Sequence, residues 1–272
     1  MLPVFLLIEG RAAEPLLVLS LFRDLRIALA SSSLFLSGMC FYGIGIYLPL
    51  FMQGVLGASA ARSAIVFTQY ALFLIAGNIV CGQFVSRTGQ YRLFALIGSG
   101  LASAGLLLFS GMNAGSTQLE ILRNVALCGL GFGALTLTYD VLVQNAASRE
   151  HVGVATGSTQ FFIAIGGTIG LVIFGTILTR IYHMHVDGLI PPGTPDALAH
   201  AFDNPLRLVL NRPNLEQPFS QIPNGHAVLA SLLEGAHAGL SSAVQAIFLV
   251  SAAMAAVPFL LTLFLPGKAN AR

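Results

Sequence analysis

Gly82-Gln83-Phe84-Val85-Ser86-Arg87-Thr88-Gly89-Gln90-Tyr91-Arg92 is a polar link of eleven residues set between two long apolar runs. Its two arginines are fixed cations, and its two glycines permit a tight turn. On either side lie apolar stretches near residues 63 to 85 and 93 to 112, each about long enough to cross a hydrocarbon core of roughly 30 Å. The link therefore reads as a short turn at a membrane surface, and the rest of the chain is read outward from it.

Further apolar runs fall near 27 to 51, 119 to 143, 153 to 181 and 241 to 265, which makes six spans. The chain has 272 residues, 56% hydrophobic and 9% charged, too little charge to cover a globule of this size with polar surface. Its mean hydropathy of +0.82 agrees. A spanning barrel would alternate apolar and polar residues in segments of about ten. Leu106-Leu-Leu-Phe109 and Phe259-Leu-Leu-Thr-Leu-Phe264 are apolar all round, as spanning helices are. The fold class is an all-α membrane protein.

The positions of Lys and Arg set the orientation. Arg11, Arg23 and Arg26 precede the first span, Arg87 and Arg92 lie in the opening link, Arg149 precedes the fifth span, and Lys268 and Arg272 end the chain, all on one side. Arg62, Arg123 and Arg180 lie near span ends on the other side, with Arg207 and Arg212 deep in a long loop, where the charge rule weakens. The cationic side and the C-terminus are thus predicted cytoplasmic, in a cell (inner) membrane.

This divides the chain into an apolar stub at 1–8, a cytoplasmic linker at 9–26, five spans within 27–181, an outer loop at 182–240, a last span at 241–265 and a tail at 266–272. The stub is too short to cross and lacks the cationic start and small-residue cleavage site of a signal peptide. It reads as the last two turns of a helix, so that the chain is the tail of something longer. Within the linker, Leu16, Leu17, Leu21 and Phe22 beside Arg23, Asp24 and Arg26 suit an interfacial entry to the first span, or equally a plain linker capped at Ser20. Seven of the twelve prolines fall in the outer loop, which excludes regular structure over most of it. Short helices are expected after Thr194-Pro195 and Asn204-Pro205, and after Asn224-Gly225 a helix can run on into the last span, kinked by Pro258.

Gly129 and Gly133, Gly153 and Gly157, and Gly166 and Gly170 form pairs at the spacing that lets helix backbones approach closely in lipid. The glycine-dense fifth span is either a packing seam or a mobile gate. Cys40, Cys81 and Cys128 each lie in or at the end of a span and read as small buried apolar residues, with neither a disulfide nor a metal site indicated.

No nucleophile elbow, phosphate loop or paired intramembrane carboxylate is present, and His183-x-His185 lacks metal-ligand spacing, so neither an enzyme, a cofactor, a metal nor nucleic-acid binding is expected. Polar residues within spans are costly unless they face a partner or water. Asp140, near one end of the fourth span, reads either as a site for a proton or cationic substrate or as a charge partner of Arg149 or Arg87. Tyr42 and Tyr47, Gln69, Asn78, Gln160, Phe161 and Phe162 are suited either to lining a cavity for lipophilic solutes or to hydrogen bonding between helices.

The opening link resembles the signature loop of the major facilitator superfamily, Gly-x-x-x-Asp-Arg-x-Gly-Arg-Arg, in the copy between the second and third helices of the C-terminal six-helix half. Gly82, Arg87 and Gly89 match. Ser86 stands where the acid is expected, Gln90 and Tyr91 stand where basic residues are expected, and Arg92 comes one step later. Glu14-Pro15-Leu16, Leu21-Phe22-Arg23, Tyr47-Leu-Pro49-Leu-Phe51, Val143-Gln144-Asn145-Ala146 and Gly153-Val-Ala-Thr156-Gly157 are similar to the fourteen-helix drug:proton antiporter branch, as is a long outer loop before the last helix.

The resemblance covers essentially the whole chain and implies the C-terminal bundle of a secondary transporter, exporting lipophilic compounds in exchange for protons. It implies that an N-terminal half of about eight helices is absent and that the chain alone does not pump. The opening link, with Gly82, Arg87, Gly89 and Arg92, would shape a cytoplasmic turn during opening and closing. Two alternatives are a half-size transporter that pairs with itself or with another half, and a non-transporting membrane protein whose outer loop binds a partner.

Overall fold

The computed structural model describes residues 24–147, 152–186 and 225–264. They form six helices: α1 (Leu25–Gly54), α2 (Ala60–Thr88), α3 (Tyr91–Ser110), α4 (Gln118–Ala146), α5 (Val152–Val186) and α6 (Gly225–Thr262). All six are long and apolar enough to cross a membrane. The stub, the linker to Arg23, Arg149, the expected short helices of the outer loop, and the tail lie outside the described residues. α5 runs on to Val186 and α6 begins at Gly225, so both ends of the segment 182–240 are helical.

Local chemistry fixes the helix ends. Asp24 caps α1 by accepting from the Arg26 N–H at 2.8 Å, and Ser59 caps α2 by accepting from the Arg62 N–H at 3.3 Å. α4 opens with a capping box. The Thr117 N–H donates to Glu120 Oε2 at 2.7 Å, and the Glu120 N–H returns to Thr117 Oγ1 at 3.3 Å. α2 stops at Gly89, whose φ of 63° is left-handed and whose N–H donates to the Val85 carbonyl at 2.9 Å. Two residues later α3 begins, so the opening link is a helix end, one left-handed glycine and a helix start.

Chain neighbours are not always packing neighbours. α2 and α3 hardly touch each other, and α4 lies between them. α1 packs on α5, α4 and α6, while α6 also packs on α3 and α5. Glycine allows these approaches. A Cβ at Gly133 would run into the Leu74 carbonyl of α2, and one at Gly77 would lie 2.6 Å from the Leu130 carbonyl of α4. On the other side of α4, a Cβ at Gly131 would strike Ala102 of α3, and one at Gly98 would come within 2.9 Å of the Gly131 carbonyl. The second seam joins α1 to α5: Gly38 faces the Ile163 carbonyl, Gly166 faces the Phe35 carbonyl, and Gly170 faces Met39.

The pairs Gly129/Gly133 and Gly166/Gly170 are thus true helix contacts. The expectation for Gly153/Gly157 fails, since a Cβ at either would meet nothing within 4 Å. Spacing alone cannot tell which side of a helix a glycine pair faces. The fifth span is a packing seam along its middle, and in its first two turns Gly153 and Gly157 lie on an open side while Ala155, Ser158 and Thr159 are buried.

Polar atoms in the bundle are mostly satisfied locally. Ser37, Ser99, Thr138 and Ser158 donate to carbonyls four residues earlier, which removes their cost in an apolar interior. Pro258 lies inside α6. Its carbonyl accepts from Thr262 Oγ1 at 2.6 Å, and that oxygen is 2.7 Å from the buried Tyr139 hydroxyl of α4. Cys40, Cys81 and Cys128 are buried free thiols, as their sequence setting suggested.

Candidate functional site

The opening link is held by neutral hydrogen bonds. Ser86 Oγ donates to the Gln83 carbonyl at 3.0 Å, within its own helix. Thr88 Oγ1 donates to the Phe84 carbonyl at 2.8 Å and accepts from the Gln90 N–H at 3.4 Å. The Tyr91 hydroxyl, at the first residue of α3, accepts from Asn145 Nδ2 of α4 at 2.8 Å. Gly82 lets α2 lie against α4, since a Cβ there would be 2.8 Å from Leu137 Cδ2. Arg87 is exposed and Arg92 half-buried. The Tyr91–Asn145 pair escaped sequence reading, because 54 residues separate its members and neither is charged.

The aromatic and amide candidates are spread over α1, α2 and α5. Tyr42 is 40% exposed, and its ring lies on Gly167 of α5, where any Cβ would overlap it. From Tyr42 an aromatic line runs through Phe41, at 5.6 Å, to Tyr70 of α2, at 5.9 Å, and on to Phe67, at 6.0 Å. Tyr70 is buried, and its hydroxyl has no hydrogen-bond partner among the described residues. Gln69 and Asn78 are both half-buried on α2. Nine residues apart at about 100° each, they lie on opposite sides of that helix. Asn78 is at the α4 seam beside Gly133. Gln160 is exposed on α5, and the adjacent Phe161 meets Phe162 edge to face at 5.8 Å.

Asp140 is partly buried on α4, six residues before Ala146. The Thr159 hydroxyl of α5 lies beside its carboxylate. That hydroxyl donates instead to the Thr156 carbonyl at 2.8 Å, and Asp140 Oδ1 is buried with no hydrogen-bond partner among the described residues. Ser31 Oγ of α1 is likewise buried with no hydrogen-bond partner among the described residues, while the Ser33 hydroxyl lies beside Tyr139 of α4. Pairing of Asp140 with Arg149 lies outside the described residues.

Six apolar spans packed through glycine seams define a polytopic helical membrane protein. Its sequence says which one: residues 6–171 match the family model of the Major Facilitator Superfamily, and the chain belongs to that family. Among curated proteins it is similar to the multidrug transporter protein MdtP of Bacillus subtilis (strain 168), 30% identical over 69% of this chain and 35% of that protein. It is also similar to the tetracycline resistance determinant of Streptomyces rimosus, 30% identical over 66% of this chain and 52% of that protein. The tetracenomycin C resistance and export protein of Streptomyces glaucescens is 28% identical over 96% of this chain and 48% of its own length. The chain spans about a third to a half of the length of these relatives.

Proposed function

We propose that this six-helix bundle is the C-terminal half of a proton-coupled exporter of lipophilic compounds and works against a second bundle. The transporter class follows from the family. The relatives' names support the substrate class: MdtP is a multidrug transporter, and the two Streptomyces proteins are a tetracycline resistance determinant and a tetracenomycin C resistance and export protein. The observation that carries proton coupling is Asp140, a carboxylate inside a spanning helix with a buried oxygen left bare. Such a group is costly in an apolar interior unless it is neutralised or bound, so taking up a proton stabilises it.

The cavity wall is then drawn from α1, α2, α4 and α5, with Tyr42, Gln160 and Phe161 facing the substrate and Gln69 and Asn78 on the flank of α2. Alternating access moves one bundle against another, and the tight seams α1–α5 and α2–α4–α3 let this one move as a body. The cationic side, with Arg87 and Arg92, is placed in the cytoplasm by the distribution of Arg and Lys.

The test is expression of the chain with and without a matching N-terminal half, in cells loaded with a lipophilic dye. Efflux that needs both halves and collapses with the proton gradient supports the reading. Efflux by this chain alone would instead favour a self-paired half-transporter.

A further inference from the structure

The last turns of α6 are fastened differently from the rest of that helix. Up to Ala255 its buried side chains, among them Ala243, Ile247, Phe248 and Ala252, belong to the large apolar core shared with the other five helices. Beyond Ala255 no described residue of α6 joins an apolar core. Val257, Phe259, Leu260, Leu263 and Phe264 are exposed. Phe259 passes Gly100 of α3, where even an added Cβ would come no nearer than 3.9 Å. In lipid such apolar surface gains little by packing on another helix.

Pro258 and Thr262, one turn apart, are the buried residues of this end, and both meet Tyr139 of α4. α6 packs on α1, α3 and α5 but hardly on α4, so the tie between the two is polar. Thr262 Oγ1 spends its proton on the Pro258 carbonyl at 2.6 Å. At 2.7 Å the Tyr139 hydroxyl is therefore the donor and Thr262 the acceptor. The Pro258 carbonyl lies 3.5 Å from the same hydroxyl. Proline has no N–H to offer the Met254 carbonyl, so the backbone ladder of α6 is interrupted where its apolar packing stops.

We propose that residues 258–264 are a hinged arm, at the same end of the bundle as the Gly89 link, which pivots at Pro258 and is latched to α4 by the Tyr139 hydroxyl. With the latch made, the arm lies against α4. With it open, the arm turns away while the helix up to Ala255 keeps its place in the core. One donated hydrogen bond sets the balance, because packing and ladder both weaken at the same place. The device rests on helix contacts and is independent of the proposed export.

Hydrogen–deuterium exchange of the purified full chain in lipid nanodiscs, read by mass spectrometry, tests it. Tyr139→Phe should speed exchange of the amides at 259–264 about three- to fifteenfold, the factor for loss of one hydrogen bond between spanning helices, and leave 240–255 unchanged. Thr262→Val should do the same, and it carries the test if Tyr139→Phe does not fold. Pro258→Ala restores the ladder, and combined with Tyr139→Phe it should return the arm to wild-type exchange. Unchanged exchange at 259–264 in the latch variants overturns the latch. Equal acceleration at 240–255 overturns the arm, since the whole helix would then be loosened. Acceleration that persists in the Pro258→Ala background overturns the hinge.

Discussion

Asn145 Nδ2 of α4 donates to the Tyr91 hydroxyl of α3 at 2.8 Å, joining the end of one spanning helix to the start of another beside a link whose signature acid is replaced by Ser86. A neutral bond stands where the family pattern would lead one to look for charge. Because the pair is exposed, Tyr91→Phe should lower stability by only about 0.5–1.5 kcal/mol, and the small shift should be unchanged between low and high salt. Thermal unfolding in detergent at two salt concentrations checks this.

Gly89 ends α2 with φ of 63°. Gly89→Ala keeps the link uncrowded, since nothing lies within 4 Å of a Cβ there, but it forces a left-handed L-residue and should cost about 1–2 kcal/mol. Gly89→Asn should recover part of that loss, because asparagine tolerates this conformation. The melting temperatures of the two variants should rank accordingly.

The glycine seams predict opposite outcomes within one helix. Gly166→Leu drives a side chain into the Phe35 carbonyl of α1 and should destabilise by about 1–3 kcal/mol or prevent assembly. Gly157→Ala, which meets nothing, should be neutral or stabilise the helix by roughly 0.5–1 kcal/mol. Folded yield after membrane extraction and the unfolding midpoint distinguish them.

Tyr139 and Thr262 share a 2.7 Å hydrogen bond between α4 and α6. Thr262 keeps its bond to the Pro258 carbonyl in Tyr139→Phe, so that variant should lose only about 0.6–1.7 kcal/mol, the range of such bonds between spanning helices. A double-mutant cycle with Thr262→Val should return a coupling of the same size.

Asp140→Asn, expressed with a matching N-terminal half, should retain membrane insertion and lose most of the proton-gradient-dependent part of dye efflux. Equal efflux by wild type and variant would remove Asp140 from the coupling role.

Much of the fold was legible from residue order. The six spans were readable because about 20 consecutive apolar residues are what a bilayer selects, and the link at Gly89 because a left-handed helix end wants glycine. Gly129 with Gly133 and Gly166 with Gly170 also announced close packing. Their spacing was equally present in Gly153 and Gly157, and there it misled, since spacing fixes two residues on one face without saying what that face meets. The site was less legible. Asp140 stood out as an acid within a span, but its neighbour Thr159 comes from another helix, and spacing along the chain does not pair the two. Gln69 and Asn78 resembled one another by composition and lie on opposite sides of α2.

The sequence by itself marked six stretches long and apolar enough to cross a membrane, the link between the second and third of them, and the family that this link resembles. Those properties depend on hydropathy, charge and local backbone chemistry, which are fixed along the chain. The tertiary structure alone decided that α4 separates α2 from α3, that Tyr91 meets Asn145, and that Asp140 of α4 lies beside Thr159 of α5. Such relations depend on the rotation and depth of packed helices. Glycines set how near two helices can come, but only the assembled bundle determines which side chains then meet.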